Sequence, residues 1–173
     1  MSGLVHIYTG DGKGKTTAAL GLALRNAGSG NRVLILQFMK GRDTGELHAL
    51  ARIPNIEVLR LDQDYGFYKQ MTQEEKQTVR RQHDRFLQVA AQGLQEKSYG
   101  LIVFDEAISA YQHELLNREK LLEFISAPSE TERVLTGRNA PESLLQRADY
   151  ITEMQAVRHP MNQGIPARKG VEF

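Results

Sequence analysis

Leu4-Val5-His6-Ile7-Tyr8-Thr9-Gly10-Asp11-Gly12-Lys13-Gly14-Lys15-Thr16-Thr17-Ala18-Ala19-Leu20 is the stretch on which the rest of the chain turns. Leu4–Tyr8 is a short apolar run of the kind that forms a buried strand. Gly10, Gly12 and Gly14 follow, and such glycines let the backbone turn with its N–H groups pointing inward around an anion. An alanine- and leucine-rich helical pattern runs from Thr16 to Ala27, and its positive N-terminal end adds to the same point. In this setting Lys15 reaches phosphate oxygens and the Thr16 hydroxyl ligates Mg²⁺. Asp11, Lys13 and Thr17 complete the candidate nucleotide-binding loop with Gly10 to Thr16. The strict phosphate-loop spacing puts its first glycine at Thr9, and counting from Gly10 leaves the loop one residue short. A glycine turn that merely caps a helix, its lysines in solvent, is the plainer alternative, but it leaves the strand–loop–helix context unexplained.

Outward from the loop, apolar runs at Val33–Leu36, Ile56–Leu59, Leu101–Phe104, Val134–Leu135 and Tyr150–Ile151 predict further strands, about six in all. Helical patterns separate them at Thr44–Ala51, Gln73–Glu96, Arg118–Ile125 and Pro141–Arg147, with Thr72 and Glu75 spaced as a capping box. Strands alternating with helices imply an α/β fold, a mainly parallel sheet with helices on both faces. After Arg158 the residues Pro160, Gly164, Pro166 and Gly170 predict loop or extended chain. Ligands of open parallel sheets bind at the carboxyl ends of the strands. Asp105-Glu106 closes the Leu101–Phe104 run there, and acids in that place can hold Mg²⁺ directly or through water. Arg138, after Leu135-Thr136-Gly137, reaches the same edge and can clamp phosphate through its planar fork. Lys15 and Arg138 are therefore the candidate catalytic groups, and Thr16, Glu106 and Asp105 the candidate metal ligands. Arg25 is a weaker candidate for the nucleotide, since a role as a surface helix charge suits it better, and His159 suits a structural or solvent role better than a catalytic one.

Composition narrows the classes. A chain of 173 residues predicts one domain spanning 1–173. With 22 Lys plus Arg against 21 Asp plus Glu, it is no general nucleic-acid coat, and Arg80–Arg85 reads as a solvated helix face. No cysteine is present, which removes disulfides, thiolate metal sites and cysteine nucleophiles. No apolar run approaches the roughly 18 residues that span a bilayer, and Met1–Gly10 lacks the pattern of a secretory signal. The expectation is a cytoplasmic protein with no membrane partner.

In these residues the chain resembles the P-loop type of ATP:corrinoid adenosyltransferase. The likeness runs from Tyr8–Ala19 through Gln37-Phe38-Met39-Lys40-Gly41, Gly45-Glu46, Asp105-Glu106, Leu135–Arg138, Ala148-Asp149, Thr152–Met154 and His159-Pro160 to Gly170–Phe173. It implies a RecA-like P-loop NTPase fold, a three-layer sandwich. It also implies transfer of the 5′-deoxyadenosyl group from ATP to reduced corrinoid cobalt with release of triphosphate. Mg²⁺ or Mn²⁺, a homodimer and a flavoprotein reductant are implied with it. On matching positions, Gly10–Thr17 and Arg138 hold the triphosphate while Thr16 and Glu106 hold the metal. Phe67 and Tyr68 are candidate walls for the large, partly apolar corrinoid, with packing against the protein's own core as the alternative. The chain departs from the family pattern in reaching its loop within ten residues and in having no tryptophan. Those departures bear on the corrinoid side, and two rival readings stand beside the transferase. One is a P-loop hydrolase or kinase in which Glu106 positions the nucleophile; the other is a nucleotide- and corrinoid-binding protein without turnover.

Overall fold

Every residue of β2 (Val33–Gln37) and β4 (Leu101–Asp105) is buried, because both faces of the sheet that holds them are covered. The computed structural model describes residues 2–172. Around those two strands lie β1 (Val5–Thr9), β3 (Ile56–Arg60), β5 (Glu132–Thr136) and β6 (Tyr150–Glu153). They form one six-stranded sheet in the order β3-β2-β4-β5-β1-β6, parallel at every pairing. The expected sheet is thus present, and it is wholly rather than mainly parallel.

Side-chain alternation sorts the strands between two layers of helices. Val33, Ile35, Leu101, Val103 and Val134 point toward α1 (Lys15–Gly28), whose Ala19, Ala23 and Ala27 let the helix lie close against them. Leu50 of α2 (Gly45–Leu50) joins this layer. Leu34, Leu36, Ile102, Phe104 and Leu135 point the other way. There they meet α3 (Gln73–Gln95), α4 (Ala107–Gln112), α5 (Arg118–Ser126) and α6 (Glu142–Leu145) through Val79, Phe86, Ile108, Leu121 and Leu144. Thr72 and Glu75 form the predicted capping box, Glu75 N–H donating to Thr72 Oγ1 and Thr72 N–H to Glu75.

The differences from the sequence reading have local causes. Thr44 and Pro141 are extended and precede their helices as caps, so α2 and α6 are shorter than their helical patterns. Helix α4 has no counterpart among the predicted helices. Its Ile108, Ala110 and Tyr111 are buried, so it carries no polar face to mark its period. The tail, expected as loop or extended chain, contains a short 3₁₀ turn at Pro160–Gln163, with His159 Nδ1 accepting from the Met161 N–H.

Candidate active site

Strand β1 ends at Thr9 and the chain turns through Gly10–Gly14 into α1. Gly10 has φ +96°, and a Cβ there would lie 2.3 Å from the Met154 carbonyl oxygen. A Cβ on Gly12 would lie 2.7 Å from the same oxygen, to which the Gly12 N–H donates at 2.7 Å. The chain leaving β6 thus flanks the loop, and the Asp11 carboxylate holds it by accepting from the Ala156 N–H at 3.1 Å. Gly14, at φ +116°, starts α1 with no side-chain cap, which leaves the first helical N–H groups turned toward the loop.

The loop curls around Lys15, which is only 7% exposed and donates from Nζ to the Gly12 carbonyl at 2.6 Å. Burial holds its pKa below the ordinary lysine value; the nearby Arg138 charge adds to that, and Glu106 and Asp11 oppose it. A cavity of about 290 Å³ opens beside it, lined by residues 11–17 together with Glu106, Arg138, His159 and Glu172. Loop, acid and arginine, predicted separately, therefore share one cavity. Arg138 is exposed on its rim. Gly137 just before it has φ +149°, and any Cβ there would meet Ile108 of α4 at 2.6 Å.

Asp105 ends β4 with no exposed surface, and its carboxylate is fully engaged. Thr16 Oγ1 donates to Oδ1 at 2.7 Å and Thr136 Oγ1 donates to the same oxygen at 2.8 Å. Lys40 Nζ donates to Oδ2 at 2.6 Å and lies 3.4 Å from Thr16 Oγ1. Glu106 follows in the left-handed region at φ 59°, so that α4 starts directly off the strand. Its Oε2 accepts from Ser109 Oγ at 2.8 Å, and its own N–H donates to Thr136 Oγ1 at 2.9 Å. The two adjacent acids thus have different settings: Asp105 is saturated by protein donors, while Glu106 faces the cavity.

Lys40, Thr136 and Ser109 received no role in the sequence reading. Lys40 stood in the quoted Gln37–Gly41 segment, three residues beyond a strand end, and that was the available signal. Gln37 is also unexpected. It is fully buried at the end of β2, in register with Asp105, and neither atom of its amide has a hydrogen-bond partner among the described residues. The tail returns to the loop as well, Lys13 Nζ donating to Glu172 Oε1 at 3.3 Å. Hydrogen bonds from Arg168 to Glu172 bring that carboxyl down to about 2.

Two further cavities lie at this edge, the first touching the loop at Thr16 and Thr17 and the second sharing Lys40 and Glu172 with the first. One of about 660 Å³ lies between α1 and α2, with Leu20, Leu24, Leu50 and Val171 on its walls and Thr16, Thr17 and Lys40 at its polar end. The other, about 260 Å³, is bounded by Met39, Lys40, Arg42 and Phe67. Phe67 is 72% exposed and packs in no core. Tyr68, by contrast, packs against the core, the alternative expected for it, and is held between the His113 ring, 4.0 Å away and stacked, and the Lys76 ammonium at 4.4 Å. Arg25 is exposed in the last turn of α1, roughly 15 Å along the helix from Lys15. No helix among the described residues is long and apolar enough to cross a membrane.

Comparison with known proteins adds an independent line. The family model described as ATP:corrinoid adenosyltransferase BtuR/CobO/CobP matches residues 1–173. The corrinoid adenosyltransferase of Pseudomonas aeruginosa is 37% identical over 173 residues, covering 99% of this chain and 84% of that one. That of Sinorhizobium sp. is 31% identical over 99% of this chain and 80% of its own length. That of Escherichia coli K12 is 27% identical over 99% and 86%. Among solved structures, the cytoplasmic domain of EssC matches with a TM-score of 0.56 at 18% identity, over 99% of this chain and 37% of that one. At that identity the likeness speaks for the fold alone.

Proposed function

The chain belongs to the ATP:corrinoid adenosyltransferase family, and on that footing we propose how its residues carry out the transfer. The enzyme moves the 5′-deoxyadenosyl group of ATP onto the cobalt of a reduced corrinoid and releases triphosphate. The observation that carries our residue assignment is the buried Lys15, drawn into a glycine loop whose cavity Glu106 and Arg138 complete.

Gly10–Thr17 hold the triphosphate through backbone N–H groups other than that of Gly12, which is bonded to Met154, with Lys13 and Lys15 supplying charge from the loop and Arg138 from across the cavity. Cobalt(I) is itself a strong nucleophile, so no general base is needed. The cobalt–carbon bond forms at C5′ as the C5′–O5′ bond breaks, and the bonding electron pair leaves with the triphosphate oxygen. The protein's tasks are alignment and stabilisation of that growing negative charge. Lys15 suits the second task because a charge fixed in a dry site acts more strongly than one in water.

The residues fit a Mg²⁺ or Mn²⁺ ion bound with the nucleotide. Such an ion needs only one or two protein ligands, with phosphate oxygens and water completing its shell. The Thr16 hydroxyl donates its proton to Asp105 and accepts from Lys40 at 3.4 Å, which leaves one lone pair for a cation, and Ser109 occupies only one Glu106 oxygen. Thr16 and Glu106 would hold the ion, and Asp105 acts through Thr16. When bound, the ion neutralises phosphate oxygens as charge develops.

Phe67, solvent-facing at the rim of the neighbouring cavity, is the corrinoid wall in this reading, and Tyr68 braces the turn that carries it. The chain works as a single domain and as a homodimer in the cytoplasm, with a flavoprotein supplying the reduced cobalt. Anaerobic incubation with ATP, Mg²⁺ and chemically reduced cobalamin tests the proposal. Native enzyme should give the spectrum of the adenosylated product, and Lys15→Ala should give it at least about tenfold more slowly. Equal rates would remove Lys15 from its role.

A further inference from the structure

The loop that follows β2 carries a conformational cost at one residue. Met39 sits at φ 60°, a left-handed backbone that a non-glycine side chain adopts only under strain. Three bonds hold the loop there, one of them from the Leu61 N–H to the Lys40 carbonyl at 3.2 Å. Phe38 N–H donates to the Asp105 carbonyl at 2.9 Å, and Met39 N–H donates to His83 Nε2 at 3.1 Å. His83 has no exposed surface, and its Nδ1 faces the Leu115 carbonyl at 2.8 Å. That second contact requires the proton on Nδ1 and so leaves Nε2 as an acceptor. The ring is packed at 4.9 Å from Phe38 and 5.7 Å from Phe86, which fixes its plane. Gly41 closes the loop: a Cβ there would lie 1.8 Å from the Gln63 carbonyl oxygen.

Lys40 stands between these two anchored points, and its ammonium is the charged partner of the buried Asp105 at 2.6 Å. We propose that His83 is a positioning residue for the nucleotide site: by holding Met39 in its left-handed turn it places Lys40 on Asp105, and thereby fixes the Thr16 hydroxyl. The order of action follows from the contacts. A buried carboxylate without its cation is destabilised, and it can no longer hold a fixed orientation for the two threonine hydroxyls that donate to it. Without the Nε2 acceptor, the Met39 N–H is left unpaired and the strained turn can relax, carrying Lys40 off the carboxylate. His83 itself does not line the loop cavity, and it reaches Thr16 through Met39, Lys40 and Asp105. The inference rests on Thr16 being part of the nucleotide site.

Two substitutions separate this role from simple packing. His83→Gln carries an oxygen to about the reach of Nε2 and keeps an acceptor for Met39. His83→Asn carries its amide only to the reach of Nδ1, keeping the Leu115 contact and losing the Met39 one. Binding of ATP with Mg²⁺, without corrinoid, is measured by calorimetry on these variants, on Lys40→Met and on His83→Asn/Lys40→Met, with thermal unfolding of each. Lys40→Met and His83→Asn should each weaken ATP binding by about tenfold, the double variant no further than the weaker single, and His83→Gln by less than about twofold. Equal losses for Gln and Asn, additive losses in the double variant, or unchanged affinity in Lys40→Met would overturn the proposal. Should Lys40→Met not fold, the Gln and Asn comparison decides alone. Because no turnover is read, adenosyl transfer could fail its own test while this one stands.

Discussion

The pH dependence of stability offers a prediction that can be worked from one side chain. Burial pushes His83 from an ordinary 6.5 down to about 4, against a hydrogen bond to Leu115 that only partly opposes it. The unfolded chain takes up this proton near pH 6.5, whereas the folded chain refuses it until about 4. Between those values the unfolded state binds more protons, so stability rises with pH and is lost as pH falls. The gap, at about 1.4 kcal/mol per pH unit, is worth about 3 kcal/mol. Native protein and His83→Gln, which cannot titrate, are unfolded in urea at intervals from pH 7.5 to pH 4.5. Carboxylates contribute equally to both, so the difference between the curves isolates the histidine. The native protein should lose about 2–3 kcal/mol more than the variant across that range, nearly all of it below pH 6.5. Parallel curves would show that position 83 is solvated or already charged in the fold, and the buried acceptor assigned to it would be refuted.

Other substitutions test the site. Lys15→Ala should lower kcat at least about tenfold, with single-turnover kinetics placing the loss on the transfer step; an effect confined to KM would contradict its action on the leaving triphosphate. Gln37→Leu removes a buried amide without partners, so the melting temperature should rise, by an effect of about 1–3 kcal/mol. The same variant should bind ATP with Mg²⁺ less well, since an unpaired amide beside Asp105 suits a water or ligand group; unchanged binding would make it a packing defect alone. Phe67→Ala should raise the KM for corrinoid and leave ATP affinity and melting temperature unchanged, and a fall in all three would mean that the ring packs within the protein.

What the sequence made legible was the strand–loop–helix unit and the strand that ends in Asp105-Glu106. Their signals are local: an apolar run, glycines at set positions, carboxylates at a strand end. Five-residue buried strands and a capping box at Thr72–Glu75 likewise need no tertiary knowledge. Helix α4 escaped because its six residues are mostly buried and show no amphipathic period. Lys40 and His83 escaped for another reason. Their partners are 65 and 44 residues distant in sequence, at Asp105 and Met39, and no spacing rule spans such a gap. Adjacency also hides a difference at Asp105-Glu106. Two neighbouring acids look alike in sequence, yet one is saturated by Thr16, Thr136 and Lys40 while the other faces the cavity. Two non-glycine residues at this edge, Met39 and Glu106, sit in the left-handed region, as Lys97 and Glu114 do elsewhere in the fold.

Phosphorus NMR of a single anaerobic turnover reads the chemistry most directly. With ATP, Mg²⁺ and an excess of chemically reduced cobalamin, each cobalt–carbon bond formed should be matched by one intact triphosphate chain, with no ADP. Cleavage between phosphates, giving ADP and inorganic phosphate at the rate of corrinoid alkylation or in its absence, would contradict a loop that grips all three phosphates while carbon is transferred.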